Sequence, residues 1–183
     1  MKKSLIVASV VAFSLVSANT FAADAGAYVG ASLGKTSSSA FDDFETLPGV
    51  SVDDNDTGYK IFAGYKFNTN FSVEGSYTDL GEISATDGID KVSASVDTFG
   101  VAAVGTLPVN ESFGVFAKVG YQAWNVDLKA TGMSTQSDDG SDVFYGVGAA
   151  YNMEAISIRG EFERYDIDGE NFDMLSLGIA YNF

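Results

Sequence analysis

The chain contains no cysteine and no histidine. Without cysteine, neither disulfides nor thiolate metal sites contribute to stability. Without histidine, the side chain whose ordinary pKa lies nearest neutrality is missing, and with it every Ser-His or Cys-His catalytic pair. Proline is scarce: Pro48 and Pro108 are the only two, so long stretches can pair every backbone N–H. Basic residues are few as well, with ten Lys and Arg against 25 Asp and Glu and a formal net charge of −15. Nucleic acid is therefore not an expected partner, because phosphate binding needs a basic face. Long hydrophobic runs are also missing. Beyond residue 22 no stretch reaches the roughly 18 apolar residues of a membrane helix, and no helical period persists.

What is present begins with a leader. Lys2 and Lys3 precede an apolar run from Leu5 to Val16, and small residues surround Thr20-Phe21-Ala22. Residues 1–22 read as a secretory signal peptide, cleaved after Ala22. Residues 23–183 then form one domain, with eight basic residues against 25 acidic ones.

The dominant period in that domain is two, the signature of strands with one apolar face. Tyr59, Ile61, Ala63, Tyr65 and Phe67 show it clearly, alternating with Lys60, Phe62, Gly64, Lys66 and Asn68. Eight such segments occur, starting near Ala27, Tyr59, Phe71, Phe99, Phe113, Val143, Ile156 and Leu175. Val92, Ala94 and Val96 have the opposite parity to Phe99, and a bulge near Asp97 would reconcile them. Connections alternate in length. Asn68–Asn70, Pro108–Ser112 and Asn152–Ala155 are tight, whereas Lys35–Asp56, Gly81–Lys91, Ala130–Asp142 and Asp166–Phe172 are longer and acidic. Tight turns at one end and polar loops at the other are the pattern of an eight-stranded antiparallel up-and-down transmembrane β-barrel, all-β, in a bacterial outer membrane.

Alternation alone does not say which face is inside. The bore of an eight-stranded barrel only just accommodates side chains. The apolar face is too bulky for it, whereas the other face carries Gly30, Gly34, Gly64, Gly100, Gly120, Gly146, Gly148 and Gly178. The glycine-rich face therefore goes inside and the bulky face meets lipid, which rules against a soluble ligand-binding barrel. Outward aromatics collect in two girdles, as at membrane interfaces. Tyr65, Phe67, Phe71, Phe113, Tyr151, Tyr181 and Phe183 form the periplasmic one, and Tyr59, Tyr77, Phe99, Tyr145 and Phe162 the outer one.

The stretches FAGYKFNTNFSVEGSYTDLG (Phe62–Gly81), FAKVGYQAW (Phe116–Trp124), ISIRGEFERY (Ile156–Tyr165) and MLSLGIAYNF (Met174–Phe183) resemble the OmpA-type transmembrane barrel. The resemblance covers nearly all of residues 23–183; full-length members of the family continue into a peptidoglycan-binding domain after the barrel, whereas this sequence stops at Phe183, so the resemblance is to the barrel domain only and cell-wall anchoring is not implied. It implies that the strand ending at Phe183 is read by the outer membrane assembly machinery. It also matches Glu74, Arg159 and Lys118 to ionic positions of the family's lumen. The chain departs from the pattern at Ala150, where the family has a glutamate, and at Val104, where it has a lysine.

Lys60, Lys66, Glu74, Lys118, Arg159, Glu161 and Glu163 share the lumen parity and nearly balance in charge. Within them, Glu74, Lys118, Arg159, Glu161 and Lys66 are the expected ionic network, with Glu74 facing Arg159 across the bore. GVGAAY (Gly146–Tyr151) lacks the third glycine and the helix of a dinucleotide fingerprint. DDNDTG (Asp53–Gly58) has Gly64 where a calcium loop needs glutamate, so at most diffuse divalent-cation binding by acidic loops is expected. The Asn-x-Ser/Thr triplets at Asn55 and Asn110 are chance matches. No cofactor, metal site or enzymatic activity is expected. The reading is a monomeric structural barrel whose acidic extracellular loops serve envelope integrity or surface interaction, with membrane lipids and lipopolysaccharide as partners. The alternative is a narrow channel, a porin-like path gated by the lumen salt bridges.

Overall fold

The computed structural model describes residues 25–38, 51–53, 55–86, 91–130 and 136–183. The leader, Pro48 and most of the Lys35–Asp56 connection lie outside these residues. Nine strands are present among the described residues: β1 Gly26–Ser38, β2 Ser51–Asp53, β3 Asn55–Lys66, β4 Phe71–Thr86, β5 Lys91–Pro108, β6 Phe113–Ala130, β7 Gln136–Met153, β8 Ile156–Ile167 and β9 Glu170–Asn182. No helix occurs among the described residues. Each long strand pairs antiparallel with its neighbours, and β1 pairs with β9, which closes an eight-stranded barrel with the short β2 attached to β4. The seam runs Val29↔Tyr181, Ala31↔Ile179 and Leu33↔Leu177, and Phe183 N–H donates to Ala27 C=O at 3.0 Å. Closure leaves no edge inside the apolar band.

The tight turns at one end have a local cause. Asn68 Oδ1 accepts from the N–H groups of Asn70 and Phe71, and Asn110 Oδ1 accepts in the same way from Ser112 and Phe113. Two Asx turns of the same design thus reverse β3–β4 and β5–β6. At the far end the expected loops are shorter than their sequence implies. Much of Gly81–Lys91 and Ala130–Asp142 is strand, and Asp166–Phe172 is a hairpin turned by Asp168 and Gly169, both with positive φ (53° and 84°). Such a two-residue turn matches the twist of the strands it joins. Acidic polarity suggests loop in these stretches, but cross-strand pairing overrides it.

The bulge lies on β4, not β5. Asp79 pairs with Asp97 while Glu82 pairs with Ser95, so β4 carries an extra residue at Leu80-Gly81, and Gly81 has φ +88°. β5 runs through Asp97 in unbroken register with β6. Val96 therefore keeps its opposite parity and points inward, 2% exposed. The side chains of Val92 and Ala94 lie outside the described set.

Inside, the glycine-rich face is only half of the picture. Tyr28, Phe62, Phe116, Trp124 and Phe144 share the glycines' parity and fill the space that the glycines leave. A Cβ on Gly64 would meet the Tyr28 ring at 2.2 Å, and one on Gly148 would meet Phe116 at 2.4 Å. Above the middle of the bore, Leu80, Val96, Ala102, Trp124, Phe144, Tyr165, Ile167, Phe172 and Met174 form one apolar cluster. Phe144 and Tyr165 stack at 5.5 Å between centroids, with planes 9° apart. The expectation of a uniformly small lumen face is corrected here: this end of the barrel is sealed by large side chains.

Candidate functional site

Below that seal lies a buried ionic layer built from inward positions of four strands. Lys60 comes from β3, Glu74 from β4, Lys118 from β6, and Arg159, Glu161 and Glu163 from β8. Strict alternation puts the three β8 residues on one face. Arg159 Nη1 donates to Glu74 Oε2 at 2.7 Å, and Arg159 Nε lies 2.8 Å from Glu161 Oε1. Lys118 Nζ reaches Glu74 Oε1 at 3.0 Å, Glu161 Oε2 at 2.6 Å and Glu163 Oε1 at 3.0 Å. Lys60 Nζ donates to Glu161 Oε2 at 2.6 Å and to Glu163 Oε2. Tyr28 Oη donates to Glu74 Oε2 at 2.9 Å.

Three cations thus meet three carboxylates. Balance and multiple contacts are what make buried charge tolerable. Arg159 gains further from rings, its Cζ lying 4.5 Å from the Phe62 centroid and 4.7 Å from that of Phe116, close enough for cation–π attraction. Val104, paired with Lys118, and Ala150, paired with Arg159, contribute no charge to this layer. Lys60 and Glu163 complete it, and their inward parity was legible in the sequence.

Of the five expected network residues, Glu74, Lys118, Arg159 and Glu161 sit together. Lys66 sits apart from them at the turn end, where Nζ donates to Asn182 Oδ1 at 2.7 Å and lies 5.7 Å from the Tyr28 centroid. One turn of alternation too low, it belongs to a vestibule of about 510 Å³ that is open at the turn end and bounded above by Tyr28, Phe116 and Arg159. Among the described residues no group of three or more Asp or Glu is arranged to hold a metal.

The outer surface carries the aromatics. Phe67, Phe71, Tyr151, Tyr181 and Phe183 are exposed at the turn end, with Tyr65 and Phe113 partly covered by neighbours. Tyr181 packs edge-on against Phe183 at 5.0 Å, and Tyr65 likewise against Phe67 at 5.6 Å. Phe99, Tyr145, Tyr59 and Phe162 are exposed at the other level, together with Tyr121. Tyr121, on the outward face of the fifth segment, adds a ring that the sequence pattern did not assign to either girdle.

Beyond this second level β4 to β7 continue outward. β5, β6 and β7 each have 18 residues, whereas β8 has 12 and β9 has 13. At about 3.3 Å per residue the longer strands outreach an apolar band roughly 25 Å tall. The projecting part carries Asp97, Asp127, Asp138, Asp139 and Asp142.

Comparison with known proteins gives the same architecture. The attachment invasion locus protein of Yersinia pseudotuberculosis is 24% identical over 187 residues, covering 100% of this chain and 98% of that protein. The crystal structure of Ail from Yersinia pestis in complex with the heparin analogue sucrose octasulfate matches with a TM-score of 0.57 at 16% identity, covering 87% of this chain and 97% of that one. Neisserial surface protein A matches with a TM-score of 0.61 at 13% identity, over 87% and 99% of the two chains. The family described as outer membrane protein beta-barrel domain matches residues 8–183. This chain, a closed eight-stranded antiparallel barrel with a lipid-facing apolar surface, belongs to that family and resides in the bacterial outer membrane.

Proposed function

We propose that this protein is a closed, non-enzymatic outer membrane barrel that works through its extracellular surface. The observation that carries this reading is the lumen, in which two barriers stand in series. A six-charge ionic layer sits above the vestibule, and an apolar cluster whose Leu80, Phe144, Tyr165 and Met174 are at most 1% exposed sits above that layer. A hydrated ion would have to displace both, so the channel alternative is the weaker reading. The ionic layer plugs and braces the barrel. The signal peptide of residues 1–22, recognition of the Phe183 strand by the assembly machinery, and a monomeric state belong to the same proposal.

The surface that remains is acidic. The Ail structure holds a heparin analogue, a polyanion; the projecting sheet here, with its five aspartates, suits cationic partners and diffuse divalent cations between lipopolysaccharide molecules. The test is a planar-bilayer recording of the refolded protein, in which steady single-channel conductance would overturn the closed-barrel reading. Proteoliposomes should in parallel retain polylysine and not heparin.

A further inference from the structure

The vestibule at the turn end takes no part in sealing the bore. Its volume of about 510 Å³ lies within the range of small-molecule pockets, roughly 300 to 1,000 Å³. Along its wall runs a hydrogen-bond chain whose direction is fixed at one end. Lys66 Nζ has only protons to give, so Asn182 receives through Oδ1 at 2.7 Å and gives onward through Nδ2 to Ser157 Oγ at 2.8 Å. Ser157 Oγ in turn donates to Asn152 Oδ1 at 2.7 Å. The Asn152 amide is thereby turned so that Nδ2, a donor, ends the chain, and no hydrogen bond engages that nitrogen among the described residues.

The roof ends in a donor too. Arg159 commits Nη1 to Glu74 and Nε to Glu161, both within the ionic layer. Its Nη2 makes no hydrogen bond or ion pair among the described residues, although the side chain is more than nine-tenths buried and lines the vestibule. A guanidinium nitrogen and an amide nitrogen offered to one cavity call for an oxyanion, and the planar fork of arginine suits a carboxylate. Between roof and mouth, Val104 and Ala150 line the cavity without charge. At the mouth the sign reverses. Glu111 and Glu154, both exposed, stand in the β5–β6 and β7–β8 turns, where they disfavour a polyanion and suit a ligand whose far end is cationic. From Arg159 down to the start of β8 at Ile156 the chain drops about 10 Å, which is the span of an extended peptide of about three residues.

We propose that the vestibule binds free short peptides of about two or three residues, with the terminal carboxylate against Arg159 Nη2 and Asn152 Nδ2 and the terminal ammonium toward Glu111 and Glu154. The ionic layer and the apolar cluster stand above this site, so it is a dead end that captures a ligand from the turn side and passes nothing on. It is independent of the extracellular surface, and its failure would leave the closed-barrel reading untouched.

The experiment is isothermal titration calorimetry of the refolded full chain in a non-ionic detergent, with trialanine as the probe. Amidation of the peptide's carboxyl end should weaken binding by about tenfold or more, the loss expected when charge-assisted contacts go. Acetylation of its amino end should weaken binding by less, because the carboxylates that it faces are exposed to solvent. Ala150 is the cross-strand neighbour of Arg159, so Ala150→Glu tethers a carboxylate beside the guanidinium and should abolish binding. Asn152→Asp turns the terminal donor into an acceptor and should weaken binding by about tenfold or more. The heat-induced gel shift shows which variants fold; one folded variant suffices, and the amide comparison uses the unaltered chain. Failure of trialanine to bind at millimolar concentration, equal binding of its amide, or undiminished binding to a folded variant would overturn the proposal.

Discussion

Glu74 receives hydrogen bonds from Tyr28, Lys118 and Arg159. Replacing it with alanine strands a buried guanidinium and a buried ammonium, the case in which loss of one partner of a buried pair costs about 3 to 5 kcal/mol. Glu161 is no full substitute, since Arg159 and both lysines already share it. Glu74→Ala is therefore expected to lower the urea midpoint in detergent clearly; an unchanged midpoint would mean that the ionic layer is dispensable. On the outside the logic reverses. Val147 is 57% exposed in the apolar band, and Val147→Arg is expected to cost roughly 2 to 4 kcal/mol if it lies near the midplane. The same substitution should be harmless to a soluble barrel, so the comparison of lipid and detergent-free stability checks the orientation.

Between strands, the recurrent unit is a glycine under a ring. Gly148 lies beneath Phe116, Gly64 beneath Tyr28 and Gly140 beneath Trp124, the last with a would-be Cβ 2.3 Å from the indole. The ring of one strand thus covers the bare backbone of the next. Gly148→Ala is expected to cost about 1 to 3 kcal/mol through overpacking, read from the temperature at which the gel shift disappears. Gly160→Ala, with nothing within 4 Å, should leave that temperature unchanged. Gly178→Ser is expected to cost less than Val147→Arg but not to be neutral, because a Cβ there would lie 2.7 Å from both the Ala31 carbonyl oxygen and the Ser32 Cβ. Glycine on this face is a close-approach residue rather than spare volume.

For the whole molecule, closure of β1 on β9 satisfies the backbone within the ring, so unheated and boiled samples are expected to migrate differently in a denaturing gel. Identical migration would contradict the closed ring. Permeation is also a whole-molecule property. Lumen charges alone predict that Glu74→Ala opens a path for ions, but the apolar cluster lies in series with the ionic layer. Glu74→Ala by itself is now expected to remain nearly silent in a planar bilayer. Adding Phe144→Ala, which removes one member of the stacked pair beneath which the charges lie, should produce conductance. Equal conductance of the single and double variants would show that the apolar cluster is no barrier.

The strand count, the inside and outside of each strand, the two aromatic levels and the inward charges were all legible in the sequence, because a period of two is local and the crowding of a narrow bore is a matter of volume. Lys60 and Glu163 could be assigned by parity as well, whereas the rings that fill the lumen beside the glycines were not expected. What the sequence left open depends on register, which relates residues far apart in the chain. The extra residue lies on β4 while β5 runs past Asp97 without a bulge, so Val96 keeps its inward parity, and pairing across β5 to β7 made strands of acidic stretches that read as loops. The height of Lys66 placed it with Asn182 instead of with the ionic layer. Only the assembled ring decides which side chains share a level, and therefore that the bore holds a charged layer under an apolar seal and that β7 stands eight residues clear of β8.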